Sequence, residues 1–217
     1  VVAIVGYTNA GKSTLLNALC ESDVYAENQL FATLDPTTRS ATLPSGSEIM
    51  LTDTVGFIRK LPHHLVKAFY STLEEAKYAD IILHVMDASS EHLATHNEVV
   101  HETLKRLDIT NIPIITVYNK IDQVEGHYPK DETSTHSVEI SAKNKINLDG
   151  LLGIIEEMLY ASMQPFKILL PYSVPELVAF CHAQGERLEE EYVNEGIVLK
   201  GYIHKDKFYK IKDYCID

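Results

Sequence analysis

Cysteine is scarce and poorly placed for pairing. The chain has three, Cys20, Cys181 and Cys215, odd in number, far apart and without a CxxC pair. That spacing excludes a disulfide framework and favours a reducing, cytoplasmic compartment. No apolar run approaches the roughly 18 residues that a membrane span needs, so no membrane association is expected. A signal-peptide pattern is missing too, and Cys215 stands third from the end, where a prenylation box needs it fourth. Positive charge is in deficit: Lys and Arg number 19 against 31 Asp and Glu, for a net charge of −12. A non-specific nucleic-acid coat protein shows the opposite balance. The whole molecule therefore does not attract phosphate over distance, although the sign leaves room for a local basic face. There is no internal repeat and no low-complexity tract.

What is present is an ordinary globular composition, 45% hydrophobic and 23% charged, which excludes a disordered tail. The 217 residues suit one large domain or one medium domain plus a small one. From residue 1 to 162, short apolar runs alternate with amphipathic segments. Strands are expected at Val1–Val5, Arg39–Leu43, Glu48–Thr52, Ile81–Met86, Pro113–Tyr118 and Ser137–Ile140. Helices are expected at Lys12–Glu21, Leu65–Lys77, Glu91–Leu107 and Leu148–Leu159. This alternation gives an α/β domain with a mostly parallel six-stranded sheet covered on both faces. Gln164-Pro165 is read as breaking the last helix. Residues 165–217 then form a small α+β domain: a strand at Phe166–Leu170, a helix at Val174–Glu191 and a strand at Ile197–Ile203. The abrupt opening of Val1–Val5 as a core strand predicts that further chain precedes it.

Charge is uneven. Residues 1–164 carry 12 basic and 22 acidic side chains, and residues 165–217 carry 7 and 9. In the smaller part Glu186, Glu189, Glu190, Glu191 and Glu195 cluster, followed by Lys200, Lys205, Lys207, Lys210 and Lys212. Two solvated faces are the first reading; a local contact to an acidic partner such as RNA is the second.

Gly6-Tyr7-Thr8-Asn9-Ala10-Gly11-Lys12-Ser13, with Thr14 next, fits G-x-x-x-x-G-K-[ST] between a strand and a helix. Such a loop turns its N–H groups toward phosphate oxygens, and the following helix N-terminus adds a favourable dipole. Lys12 reaches the β- and γ-phosphates, and the Ser13 hydroxyl suits Mg²⁺. Asn119-Lys120-Ile121-Asp122 follows a buried strand, 107 positions after Lys12, at a carboxyl end where open α/β sheets bind ligands. Asp122 can accept two hydrogen bonds from guanine N1–H and its 2-amino group; adenine offers no such pair. The Lys120 stem can lie against the base, and Asn119 can brace the phosphate loop. Ser141-Ala142-Lys143 follows the next strand and can present N–H groups to the guanine carbonyl, with Lys143 over the base.

Asp53-Thr54-Val55-Gly56 follows the strand Glu48–Thr52. Asp53 is expected to hold Mg²⁺ through a water, and the Gly56 N–H to approach the γ-phosphate, as a sensor of hydrolysis. Between these motifs lies Phe31-Ala32-Thr33-Leu34-Asp35-Pro36-Thr37-Thr38-Arg39, in which Phe31 to Asp35 are expected to contact the nucleotide and one threonine to close over Mg²⁺. Thr33 is the chosen Mg²⁺ ligand, with Thr37 and Thr38 as rivals. Lys12, Thr33 and Gly56 are the candidate catalytic residues; Ser13, Thr33 and Asp53 are the candidate metal set.

Together these are the five motifs of a translation-factor-class GTPase domain. Their spelling resembles the HflX family of ribosome-associated GTPases, a family related to Obg. The resemblance is carried by Gly6–Thr14, by Leu30-Phe31-Ala32-Thr33-Leu34-Asp35-Pro36-Thr37 and by Asp53-Thr54-Val55-Gly56-Phe57-Ile58. It continues into Leu170-Pro171, Gly185 and Glu189-Glu190-Glu191-Tyr192, which look like the small C-terminal domain of bacterial members. The resemblance implies a P-loop GTPase domain that takes GTP and GDP with Mg²⁺. It also implies a ribosomal partner, on the large subunit and its rRNA, and a GTP-bound closure that separates the subunits under stress such as heat. Full-length members carry an N-terminal domain and a helical linker ahead of the phosphate loop, and in such proteins that domain makes much of the rRNA contact. Hydrolysis without subunit splitting is therefore a possible outcome for this chain.

Ras-type enzymes place a water-orienting glutamine where this chain has Phe57. Slow intrinsic turnover is expected, with the missing group supplied by a ribosomal partner, by backbone or by an ion. Asn9 resembles the asparagine of potassium-stimulated GTPases, where K⁺ beside the phosphates supplies charge; its alternative is loop shaping. Two other functions stay open: an Obg- or Era-like role in ribosome assembly or RNA handling, and a nucleotide-gated module with negligible turnover. Against Era, residues 165–217 have no GxxG loop. Among weaker signals, His92, His96 and His101 read as surface histidines, and His63-His64 as a solvated loop. Arg39 and Arg59 read as surface residues rather than arginine fingers. Tyr7 reads as a packing residue of the loop, and Cys20 as core.

Overall fold

The computed structural model of the chain describes residues 1–20, 37–57, 73–124, 134, 136–161 and 163–216. They divide into two compact units, Val1–Ile155 and Glu156–Asp217. The expectations placed on Phe31 to Asp35 and Pro36, on Ile58, Arg59, His63 and His64, and on the helix over 65–72 lie outside the described residues.

Among its described residues the first unit has six strands: β1 (Val2–Gly6), β2 (Thr37–Thr42), β3 (Glu48–Asp53), β4 (Ile81–Asp87), β5 (Ile114–Asn119) and β6 (His136–Glu139). Their order is β2-β3-β1-β4-β5-β6. β2 runs antiparallel to β3, and every other neighbouring pair is parallel. The sequences explain the order. β1 is buried at every residue and β4 at all but the last, as strands covered on both faces must be. β2 alternates exposed and half-buried positions along most of its length, which suits an edge. It joins β3 through a tight turn at Gly46, whose φ of +86° favours glycine.

Among the described residues of this part of the chain there are three helices: α1 (Lys12–Leu19), α2 (Leu93–Arg106) and α3 (Leu148–Ala161), the last running past the end of the first unit. α2 buries Leu93, Val100 and Leu104, a stripe at helical spacing, and ends on Lys105 and Arg106, which suit the negative end of its dipole. Val100 and Leu104 pack into a cluster with Val5, Val55, Phe57, Leu73 and Ile82. The described end of the helix expected over Leu65–Lys77 tightens into a 3₁₀ turn at Glu75–Tyr78.

The second unit is an antiparallel sheet of β7 (Met163–Leu170), β8 (Gly185–Val193) and β9 (Gly196–His204), with β9 central, plus α4 (Pro175–Gln184). Its core joins Phe166, Ile168, Leu170, Cys181, Leu199, Ile203 and Ile211. Two sequence readings are corrected here. Gln164 and Pro165 do not break a helix; they stand in β7, an edge strand where proline is tolerated. The helix expected to reach Glu191 stops at Gln184, and Gly185 leaves it extended. Glu-rich sequence favours helix locally, but Glu189 faces Lys200 across β9 and Leu188 packs into the core, so cross-strand pairing prevails. Four of the five lysines of the run have partners within the unit: Lys200 lies 3.5 Å from Glu189, Lys205 donates to the Ala161 carbonyl, Lys207 to Gln184, and Lys210 lies over the Phe180 ring.

Candidate nucleotide-binding site

The loop between β1 and α1 is shaped by its backbone. Asn9 takes φ +62° and Gly11 φ +96°; asparagine tolerates the left-handed region and glycine enters it freely. A Cβ on Gly11 would stand 2.3 Å from Asn119 Nδ2, so the glycine is required twice over. Thr8 N–H donates to the Phe57 carbonyl at 2.8 Å, and Phe57 N–H to the Gly6 carbonyl at 3.0 Å. These bonds tie the loop to the segment that follows β3.

Lys12 opens α1 and is only 7% exposed. Its Nζ donates to the Tyr7 carbonyl at 3.2 Å. Burial pulls its pKa down to about 8, and the Asp53 carboxylate pulls the other way. Asp53 ends β3, is 1% exposed and accepts a 2.7 Å hydrogen bond from Ser13 Oγ. Thr54 Oγ1 donates to the Ile4 carbonyl at 2.7 Å. Gly56 packs so closely that a Cβ would meet Lys12 Nζ and Thr8 Cγ2, each at 2.9 Å.

The guanine-type motif closes the site from the other side. Asn119 ends β5, and its side chain spans two loops. Nδ2 donates to the Ala10 carbonyl and Oδ1 accepts from Ala142 N–H, both at 2.9 Å. Lys120 sits at φ +65° and pairs with Asp87 at 2.6 Å. Asp122 is exposed on a 3₁₀ turn, and Ser141 is buried. Ser141 and Ile146 exchange backbone hydrogen bonds that close the Ser141-Ala142-Lys143 loop. Of the expected site residues, Gly6 to Thr14, Asp53 to Gly56, Asn119, Lys120, Asp122 and Ser141 to Lys143 are described, and they gather at the carboxyl ends of β1, β3 and β5 and on the loop after β6. Phe31, Ala32, Thr33, Leu34 and Asp35 lie outside the described residues.

Sequence reasoning missed Asp87. It ends β4 in register with Asn119, and that shared strand end was its available signal. Of the three helix histidines read as surface residues, His92 is exposed, but the other two are not. His96 is half-buried and stacks on Tyr7, while His101 meets the buried His84 edge-on. No group of three or more His, Cys, Asp or Glu among the described residues could hold a metal. Arg39 donates to Asn17 Oδ1 at 2.9 Å, on the side of α1. Cys20 caps the end of α1 half-buried. Among the described residues no helix is long and apolar enough to cross a membrane.

A buried lysine opening a helix, a glycine-shaped loop before it and a parallel sheet with the binding motifs at its carboxyl ends define a phosphate-loop α/β nucleotide-binding domain. Residues 1–120 match the family described as "50S ribosome-binding GTPase", and the chain belongs to that family. GTPase HflX of Lacrimispora saccharolytica is 49% identical over 212 residues, covering 97% of this chain and 50% of that protein. GTPase HflX of Caldanaerobacter subterraneus is 48% identical over 216 residues, covering 100% of this chain and 50% of that protein. The chain thus spans about half the length of these curated relatives. Among solved structures, a GTP-binding protein from Sulfolobus solfataricus in complex with GDP matches with a TM-score of 0.62. It is 30% identical, over 74% of this chain and 52% of that one. The HflX resemblance carried by the short motifs therefore extends along the whole chain.

Proposed function

We propose that this chain binds GTP with Mg²⁺ and hydrolyses it to GDP and phosphate, as the nucleotide-dependent part of a ribosome-associated protein similar to HflX. The observation that carries the reading is the pair of hydrogen bonds made by the Asn119 side chain, which holds the phosphate loop and the Ser141–Lys143 loop in one frame. In that frame the loop N–H groups and Lys12 bind the phosphates, Asp122 selects guanine, the Ser141–Lys143 loop turns backbone N–H groups to the guanine carbonyl, and Lys143 covers the base. The donor set fits Mg²⁺: Ser13 Oγ and the buried Asp53 carboxylate are hard oxygen groups 2.7 Å apart. Ser13 and Thr33 would hold the ion, with Asp53 reaching it through a water. When bound, the ion supplies neutralising charge to the β- and γ-phosphate oxygens.

Water attacks the γ-phosphorus as the bond to the β–γ bridging oxygen breaks, leaving GDP. Lys12 and the loop N–H groups stabilise the negative charge that spreads over the oxygens, and the Gly56 N–H follows the γ-phosphate. The direct test is Lys12→Ala. Loss of GTP turnover supports the assignment, and turnover at the wild-type rate sinks it.

The partner proposed is the ribosome, through its large subunit and rRNA, with subunit splitting under stress as the role of the longer protein and the cytoplasm as its place. Co-sedimentation with ribosomes in GDP against a non-hydrolysable GTP analogue tests this, run on this chain and on one extended at its N-terminus. Equal pelleting in both nucleotides for both proteins counts against a nucleotide-switched partner.

One observation favours a second reading, a nucleotide-gated module with negligible turnover. Phe57 is 1% exposed, and its apolar ring cannot orient the attacking water. Single-turnover hydrolysis with and without ribosomes separates the two. The left-handed backbone of Asn9 supports the loop-shaping role. Its potassium role has its own test, since equal turnover in KCl and NaCl at matched ionic strength removes it. An Era- or Obg-like role in ribosome assembly remains the neighbouring alternative within the same chemistry.

A further inference from the structure

Three attachments of Tyr7 converge on the lysine of the phosphate loop. The Tyr7 carbonyl accepts from Lys12 Nζ and from Ala10 N–H, each at 3.2 Å. Its backbone bridges to Phe57, the residue after Gly56. Its ring lies flat on the His96 imidazole, with centroids 3.8 Å apart and planes 11° from parallel. His96 projects from α2, which Leu93, Val100 and Leu104 fix in the core. A second ring contact on the same helix, His101 edge-on to His84 at 5.4 Å, ties it to β4.

A branched aliphatic side chain at position 96 would cover the Tyr7 ring comparably. It would lack the flat face through which the imidazole stacks on that ring, the ring that also packs against the apolar cluster. A cavity of about 40 Å³ already adjoins the stack, lined by Thr8, Ala10, Met86, Asp87 and His96 among others. Removing the ring would enlarge an existing void. Burial, with His92 alongside, lowers the His96 pKa against the opposing pull of Asp87, so the stack at neutral pH is one of uncharged rings.

We propose that His96 is a positioning residue for Lys12: by clamping the Tyr7 ring it fixes the carbonyl that holds Lys12 Nζ, and so the point from which the lysine reaches nucleotide phosphates. This rests on the nucleotide-binding reading above. It assigns to α2, an element outside the five sequence motifs, a part in setting nucleotide affinity.

The test is a titration of the 217-residue protein with a fluorescent GDP analogue and Mg²⁺. The variants are His96→Ala, His96→Phe and His96→Leu, each also made with Tyr7→Leu. From the usual worth of an aromatic stack, His96→Ala should weaken binding about 3- to 10-fold. His96→Phe keeps a flat ring and should restore wild-type affinity, whereas His96→Leu, which keeps bulk alone, should stay with alanine. In the Tyr7→Leu background the change at His96 should have no further effect. Unchanged affinity in His96→Ala, equal rescue by Leu and Phe, or additive losses with Tyr7→Leu each overturn the proposal. Should His96→Ala fail to fold, the Phe and Leu comparison decides. A wild-type protein that binds no guanine nucleotide would instead overturn the functional reading beneath it.

Discussion

Asn119 donates from Nδ2 to the carbonyl of Ala10 at 2.9 Å, a buried bond between residues 109 positions apart. The same side chain accepts from Ala142 N–H, so one amide sets the spacing between the phosphate end and the base end of the site. Asn119→Ala removes both partners at once and leaves a buried carbonyl and a buried N–H unsatisfied. Each such group costs about 1–3 kcal/mol. We expect a clear drop in the urea midpoint and a loss of guanine-nucleotide affinity larger than the stability change alone would produce. Denaturation in the absence of nucleotide, set beside GDP binding under native conditions, checks both parts. An Asn119→Ala protein of wild-type stability would show that the bridge is not a structural joint.

Gly56 gives a prediction of a different kind, because its neighbours are the catalytic candidates themselves. A methyl group there would meet Lys12 Nζ and Thr8 Cγ2 at 2.9 Å and Thr8 Cα at 3.0 Å. The lysine end can move, but the Thr8 backbone cannot move without disturbing the loop. Gly56→Ala should therefore fold, retain GDP binding within a few-fold, and lose most of its GTP hydrolysis. Single-turnover phosphate release is the measurement, and hydrolysis at the wild-type rate would remove Gly56 from the candidate catalytic set.

Legibility in the sequence followed the range of the interactions. The α/β class could be read because β1, β4 and β5 are apolar runs that must be buried whatever their neighbours are; β2 and β6, mostly exposed or half-buried, carry a weaker signal. The placement of the candidate site residues on turns at strand ends was readable for a related reason: glycine, asparagine and lysine there serve local backbone and charge needs. Asp87 was not readable as a partner of Lys120. Its role depends on β4 and β5 lying in register, with Asp87 opposite Asn119. The stretch from Gly185 to Val193 failed for the same reason in reverse. Its glutamates favour helix when considered alone, and only the pairing with β9 makes them a strand. His96 looked like a surface residue because nothing in the sequence of α2 announces that the phosphate loop puts a tyrosine ring against it.

Asp122 is exposed beside a left-handed Lys120, open to a base edge and unconstrained by the core. Its carboxylate offers two acceptors, matched to the N1–H and 2-amino donors of guanine. Asp122→Asn replaces one acceptor with an N–H₂ donor, which matches a base carrying a carbonyl at C2, as xanthine does. The variant should lose GTP affinity by at least about tenfold, as expected when a charged hydrogen bond is lost and a donor faces a donor. Its preference should move toward xanthosine nucleotides, with stability unchanged. Competition of GTP, XTP and ATP against a fluorescent nucleotide reads this directly. Unaltered selectivity would remove Asp122 from base recognition.

The second unit can be tested through its own thiols. Cys181 is fully buried in the core with Leu199 and Ile203, and burial pushes its pKa up to about 11. Thiolate is the reactive form, so at pH 8 Cys181 is both sheltered and almost wholly protonated, whereas Cys215 is exposed. In the folded protein, maleimide should label Cys215 first. Cys20, half-buried and with its pKa raised by burial against the pull of Arg39, should follow, and Cys181 should stay silent until unfolding. Leu199→Ala removes a side chain with no solvent exposure from the central strand β9, which typically costs about 2–5 kcal/mol. That loss should raise the Cys181 labelling rate by well over tenfold, while Cys215 labels as before. Peptide mapping of the modified cysteines separates the three rates, and prompt labelling of Cys181 in the unaltered protein would contradict the packed core from which its high pKa follows.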